Sequence, residues 1–218
     1  MVSLLYGKKK NYIRLIFDLG EHMNIYLIRH GKLNWEDGIK KCIGITDIDL
    51  SQEGIQKAKS NGVFLKDKNI KKIYTSDLSR CKKSAEIMSD CLNIPYFIDR
   101  DLREIDMGIW ENKSFSEIKK LYPLEYEERG NNIATFDKHG GESFEKCFER
   151  AKNALNRLVI KNENDNIALV THSGIIKCLI AYIDKIPLND ILSIKQDYGA
   201  INVVSFEDKK FEILQKNI

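Results

Sequence analysis

Long apolar runs are missing from this chain: no stretch approaches the roughly 18 consecutive apolar residues that a helix needs to cross a bilayer. No membrane partner is expected. A surplus of one charge is missing too. Lys and Arg number 35 against 32 Asp and Glu, and the formal charge of +3 is too small for the basic stripe of a nucleic-acid binder. A small anionic substrate is compatible with that balance. The five cysteines, Cys42, Cys81, Cys91, Cys147 and Cys178, form no CxxC pair. An odd number of scattered thiols fits a reducing compartment, and a cytoplasmic location is expected. Internal repeats and low-complexity tracts are absent beyond a general richness in Lys, Ile and Asn, and 218 residues suit one catalytic domain with a well-buried core.

The N-terminal segment makes a poor signal peptide, because its apolar runs are short and interrupted by Lys8, Lys9, Lys10, Asp18 and Glu21. Gly20, Glu21, His22 and Met23 can be encoded as GGA GAA CAT ATG, a purine-rich ribosome-binding sequence just ahead of a start codon. Residues 1–22 are therefore expected to lie outside the domain, which would run from 23 to 218.

From there the pattern alternates strand and helix. Asn24 to Ile28 reads as a buried strand that opens at Arg29, His30 and Gly31 into a loop. Ser51 caps a helix to about Asp67, and Lys72 to Thr75 resume a strand, giving a βαβ unit. The next helix is expected to start at Ser76 or Asp77, with Arg80 in its first turn. A short strand at Tyr96 to Ile98 and a capping box at Ser114 and Glu117 follow. Next come a long helix after Gly140 and Gly141, a strand at Ile167 to Val170 that ends in Thr171, His172, Ser173 and Gly174, an apolar helix, and a final hairpin. The expected fold is a three-layer α/β/α sandwich around a mostly parallel sheet.

Both interior histidines, His30 and His172, thus fall in loops directly after buried strands, on the edge where open α/β sheets bind ligands. The helix after His172 would point free N–H groups and partial positive charge at an anion. Arg29 and Arg80 converge on the same edge.

LIRHG at 27–31, SDLSR at 76–80, LREIDMGIWEN at 102–112, GGES at 140–143 and VTHSG at 170–174 resemble, in order and on matching elements, the motifs of the histidine phosphatase superfamily, which also contains the cofactor-dependent phosphoglycerate mutases. The resemblance implies a phosphoglycerate mutase-like fold and metal-independent, cofactor-free hydrolysis of a small phosphorylated substrate. It assigns His30 as the nucleophile that becomes phosphohistidine, Arg29 and Arg80 as the forks on the phosphoryl oxygens, His172 as a further donor, and Glu104 as the proton donor. Asp101, Asp106 and Glu111 compete for the acid role. His22 and His139 keep a structural reading.

This chain departs from the family pattern where Lys32, Leu33 and Glu36 stand for the usual Glu or Gln, Thr and Asn, and where Asn112 replaces a frequent Gly. Asn34 is expected to stand in for the missing Asn as a phosphate contact, while Glu36, if it points inward, would repel the phosphate. Mutases of this kind carry a longer insertion with basic residues for a substrate carboxylate. Here Trp110 to Gly140 is short and rich in acids, which favours hydrolysis. CIGITDIDLS at 42–51 and QDYGAINVV at 196–204 are most similar to α-ribazole phosphatases, which act in assembling the nucleotide loop of cobalamin.

Two other phosphatase chemistries fit less well. Asp47 to Ser51 resembles an aspartyl-nucleophile motif that needs Mg²⁺, but the residues before it make a weak strand. No cysteine is followed by an arginine six positions on. A non-catalytic module that binds a phospho-ligand would use the same arginines, and the presence of His30 together with Glu104 favours turnover.

Overall fold

In the computed structural model, which describes residues 22–35, 38–162 and 165–218, the first strand, β1 (His22–Arg29), alternates between two apolar surfaces. Met23, Ile25 and Leu27 join one hydrophobic cluster, Tyr26 and Ile28 the other. β4 (Asn166–Thr171) divides in the same way, with Ile167 and Leu169 on one side and Ala168 and Val170 on the other. A strand apolar on both faces needs cover on both. On one face α1 (Gln52–Leu65) and α2 (Ser79–Leu92) bring Leu65, Cys81, Ala85 and Met88. On the other lie α5 (Phe144–Asn162) and α6 (Ser173–Asp184). Along α5 the buried Cys147, Ala151, Ala154, Leu155 and Leu158 recur at helical spacing, and each large side chain contributes about 1.5–3 kcal/mol by leaving water. The three-layer α/β/α sandwich expected from the alternation is the observed architecture.

The sheet has six strands in the order β3-β2-β4-β1-β5-β6, with β2 at Ile70–Thr75, β3 at Tyr96–Ile98, β5 at Ile201–Glu207 and β6 at Lys210–Gln215. β5 is antiparallel to both of its neighbours and every other pairing is parallel, so β5 alone runs against the rest. Asp208 (φ 49°) and Lys209 (φ 62°) turn the β5–β6 hairpin, two consecutive left-handed residues of the kind a type I′ turn requires. The smaller helices α3 (Phe115–Leu121) and α4 (Pro123–Asn131) lie in the excursion before α5, and Ser114 and Glu117 form the expected capping box. Asn112, where the family often has Gly, sits at φ 59°. Its backbone needs the left-handed region, and asparagine is the side chain after glycine that enters it most readily.

One helix boundary differs from expectation. β1 includes His22, paired with Glu207; residues 1–21 and the question of Glu36 lie outside the described residues. α2 starts at Ser79, with Leu78 as an N-cap that makes no side-chain bond. Ser76 and Asp77 are engaged elsewhere. Asp77 receives a two-pronged bond from Arg103 (2.6 and 2.6 Å), and Ser76 contacts His172. No helix among the described residues is long and apolar enough to cross a membrane.

Candidate active site

Register places the two histidines together. β1 and β4 are parallel neighbours with Arg29 opposite Thr171, so the residues that follow leave the sheet side by side. The His30 amide donates to the Thr171 carbonyl (3.0 Å), and the rings lie 5.1 Å apart, edge to face. The chain then crosses the first turn of α1 so closely that a Cβ on Gly31 would meet the Gly54 carbonyl oxygen at 2.4 Å. Only glycine permits that crossing.

His30 Nδ1 lies 2.8 Å from the Gly31 carbonyl oxygen. A carbonyl only accepts, so Nδ1 carries the proton and Nε2 keeps its lone pair. Burial, then the charges of Arg80 and Arg29, hold the imidazolium well below its ordinary range, and the ring is neutral near pH 7. His172, fully buried, is held neutral by burial, Arg80 and then His30.

Arg80 is 1 % exposed although it is charged. Its guanidinium donates to the carbonyls of Thr46 (2.8 Å) and Gly44 (2.6 Å), and its Nε donates to His172 Nδ1 (3.2 Å). Because Nδ1 accepts, the His172 proton sits on Nε2 and is given to Ser76 Oγ (2.9 Å). Both ring nitrogens therefore have protein partners, and neither is free to donate into the cleft as the resemblance implied. Arg29 donates to the Gln196 carbonyl (2.6 Å) and lies 3.9 Å over the Tyr198 ring, while its Nε is buried without a partner.

The carbonyls that support Arg80 depend on Glu111. Its carboxylate accepts from the backbone N–H groups of Gly44, Ile45, Thr46 and Met107 and from the Thr46 hydroxyl, and so pins the 44–46 loop whose carbonyls hold Arg80. Burial pushes its pKa up, but the Thr46 hydroxyl and the backbone donors outweigh burial and leave it below the ordinary value. Glu111 is thus fully engaged outside the reacting centre. The other competitors are also placed elsewhere: Asp101 pairs with Arg157 (2.8 Å) at the surface, and Asp106 accepts from Gly108 N–H (2.8 Å). Asp47 accepts from Ser79 N–H (2.7 Å) and follows no strand.

Glu104 instead sits at the start of α6. Gly174 N–H donates to Oε1 (3.0 Å) and Oε2 (3.1 Å), and Ile105 N–H donates to Oε1 (3.0 Å). A Cβ on Gly174 would lie 2.3 Å from Oε1, so this glycine is what lets the carboxylate approach the helix end.

Arg29, His30, Arg80 and Glu104 all line one cleft of about 290 Å³. Asn34 does not. Leu33 bridges to Leu50 and turns inward, so its neighbour Asn34 faces out, exposed, into a separate hollow with Asp47, Asp49 and Asn112. The expected substitution of Asn34 for the missing phosphate contact is therefore corrected. Tyr198, Lys177 and Arg129 line the cleft and were not singled out from sequence. Arg129 comes from the short, acid-rich segment between Trp110 and Gly140. His139 packs against Trp110 and Phe136, and His22 stands at the surface near Glu207, both consistent with structural roles.

The sequence profile of the histidine phosphatase superfamily (branch 1) matches residues 25–218. Phosphoglycerate mutase-like protein 4 of Arabidopsis thaliana is 33 % identical over 162 residues, covering 73 % of this chain and 70 % of that protein. The human 6-phosphofructo-2-kinase/fructose-2,6-bisphosphatase 4 is 35 % identical over 161 residues, 73 % of this chain but only 32 % of that larger protein. Among solved structures, Bacillus stearothermophilus YhfR superposes with a TM-score of 0.81 at 29 % identity, covering 88 % of this chain and 95 % of the other. The α-ribazole phosphatase from Shigella flexneri superposes at 0.80 with 24 % identity over 90 % and 96 %, a likeness of fold. The chain belongs to the histidine phosphatase superfamily, branch 1, and is a phosphatase of that type.

Proposed function

We propose that the protein hydrolyses a small phosphomonoester in two displacements through His30. The observation that carries this reading is the Nδ1–H bond to the Gly31 carbonyl, which leaves a neutral ring with its Nε2 lone pair available between two arginines. Nε2 attacks phosphorus and the N–P bond forms as the P–O bond to the leaving group breaks. Glu104 gives that oxygen a proton; since Oε1 already accepts two N–H groups, the transferable proton belongs on Oε2. Water then attacks phosphorus, the N–P electrons return to Nε2, Glu104 takes the water's proton, and inorganic phosphate leaves. Arg29 and Arg80 neutralise the equatorial oxygens throughout, work that needs positioned charge more than covalent chemistry. His172 is a positioning residue in this scheme: it orients Arg80 through Nε and does not itself touch the phosphate.

Hydrolysis is favoured over transfer to a second acceptor oxygen by the short 110–140 segment. For substrate, α-ribazole 5′-phosphate is the candidate suggested by segments 42–51 and 196–204. Those segments supply the carbonyls that hold Arg80 and Arg29 and the ring under Arg29. They serve the phosphoryl group common to all such substrates, so they support phosphatase chemistry more than any one leaving group.

The test is turnover of the purified chain, with EDTA present, against a panel that includes α-ribazole 5′-phosphate and 3-phosphoglycerate. Release of inorganic phosphate that resists EDTA and is inhibited by vanadate is expected. Formation of 2-phosphoglycerate without phosphate release would favour the mutase reading, and dependence on added Mg²⁺ would contradict the scheme.

A further inference from the structure

Phosphorylation changes the charge of the His30 ring. The Gly31 carbonyl oxygen, 2.8 Å from Nδ1, accepts a hydrogen bond and cannot take the proton away. When the Nε2 lone pair forms the N–P bond, Nδ1 therefore keeps its proton. The neutral imidazole becomes a phosphorylated imidazolium with one formal positive charge. That charge disappears when the N–P electrons return to Nε2 in the second displacement.

The surroundings of the ring offer this charge little. Burial and the charges of Arg80 and Arg29 all act against a positive ring. Among the described residues no carboxylate hydrogen-bonds to it, and its one hydrogen-bond partner is the Gly31 carbonyl. His172, 5.1 Å away, is neutral and engaged with Arg80 and Ser76. Tyr198 is different. Its ring centroid lies 5.7 Å from that of His30, with the planes at 51°, inside the reach of about 6 Å over which an aromatic face attracts a cation. The Arg29 guanidinium carbon already lies 3.9 Å over the same ring. The attraction grows only as charge appears, so it favours the phosphorylated imidazolium over the neutral ring.

The Tyr198 ring is set before any phosphate arrives. It is half-buried in the 196–200 loop, which is tied to the end of β1 at three points. Arg29 N–H donates to the Ala200 carbonyl (3.0 Å), Gly199 N–H donates to the His30 carbonyl (3.0 Å), and the Arg29 side chain donates to the Gln196 carbonyl (2.6 Å). The buried side chains of Gln196 and Asn202 exchange two amide hydrogen bonds (3.1 and 2.9 Å), which fix the start of the loop.

We infer that the π face of Tyr198 stabilises the positive charge that His30 acquires on phosphorylation. Tyr198 acts through the His30 ring and is a positioning residue of the first displacement. The inference rests on the phosphohistidine reading above.

The experiment measures the single-turnover rate of phosphoenzyme formation from p-nitrophenyl phosphate by the full chain. Tyr198→Leu should slow it roughly 5- to 30-fold, the scale of a desolvated cation–π contact, and Tyr198→Phe should recover most of that loss. Phenylalanines with one, two and three ring fluorines at position 198 keep nearly the same volume while they drain the π face. The logarithm of the rate should fall in even steps along that series. Dephosphorylation restores the neutral ring and should not slow. Binding of inorganic phosphate to the same variants reads what the ring does for Arg29, and it should depend on fluorination less steeply than the rate does. A rate that ignores fluorination or rises with it, an equal slowing of dephosphorylation, an equally steep loss of phosphate binding, or a Tyr198→Phe variant as slow as Tyr198→Leu would overturn the inference. The parent reading fails by a different result, a phosphoenzyme that still forms from p-nitrophenyl phosphate in His30→Ala.

Discussion

The floor and the mouth of the cleft treat positive charge in opposite ways. At the floor Arg80 is buried and holds two backbone carbonyls and an imidazole before any substrate arrives, and Arg29 rests on Tyr198 with one carbonyl bond. Toward the mouth, and among the described residues, Arg129 meets the face of Trp110 and Lys177 makes one long hydrogen-bond contact. The difference teaches which part of the reaction the fold fixes. Charges aimed in advance at a transition state need no reorganisation when bonds change, so the floor is built for the phosphoryl group whatever its ester. The mouth holds its cations with fewer contacts.

Glu104 belongs to the floor, and removing its proton should produce the largest effect. Glu104→Gln keeps the shape of the side chain, and proton donation contributes about 10²- to 10⁴-fold. In single-turnover phosphorylation the loss should be that large for an alkyl phosphate and small for p-nitrophenyl phosphate, whose leaving group is already a stable anion. Equal losses would reduce Glu104 to a positioning role. Arg80→Lys should come next, at about 10²- to 10³-fold in kcat/KM, because the ammonium cannot bridge Gly44, Thr46 and His172 while facing the phosphate. A loss confined to one phosphomonoester among several would erase the distinction between floor and mouth.

Gly174→Ala is smaller and sharper. The new Cβ meets the end of the Glu104 side chain, which can swing aside, so thermal stability should hold while alkyl phosphate cleavage falls roughly 10- to 100-fold. A large fall in Tm would mean that the glycine serves packing instead. Glu111→Gln should act mainly on stability, at about 1–3 kcal/mol for the donors left unmatched. Its pH dependence has a definite sign. The folded carboxyl lies below the ordinary value of 4.5, because the Thr46 hydroxyl and backbone donors outweigh burial. The stabilisation it contributes is therefore complete above that value and is lost as pH falls through the lower folded pKa. The Tm gap between wild type and variant should narrow in acid, and a gap that stays constant there would contradict the assignment.

Much of the floor was legible in the sequence because strand-loop-helix punctuation locates catalytic loops. Arg29, His30 and His172 follow apolar runs that could only be buried strands, and Arg80 follows another at the next helix. Less legible was what each side chain does once there. The imidazole of His172 turns to Arg80 and Ser76, a choice made by neighbours about 90 residues away in sequence, at separations of 92 and 96. Asn34 has a suitable residue type and the wrong face, since the bridge between Leu33 and Leu50 decides which way it points. Glu111 could be named only as a competing acid, because a carboxylate that gathers amides from a distant loop looks like any other in sequence. The mouth was least legible: the acid-rich composition around α4 concealed one arginine that faces inward.

The central claim is that phosphorus travels through His30 Nε2. Rapid quench of the wild type with labelled substrate should trap an acid-labile, alkali-stable phosphoenzyme within one turnover, and His30→Ala should trap none. An undiminished phosphoenzyme in His30→Ala would place the nucleophile elsewhere and contradict the account.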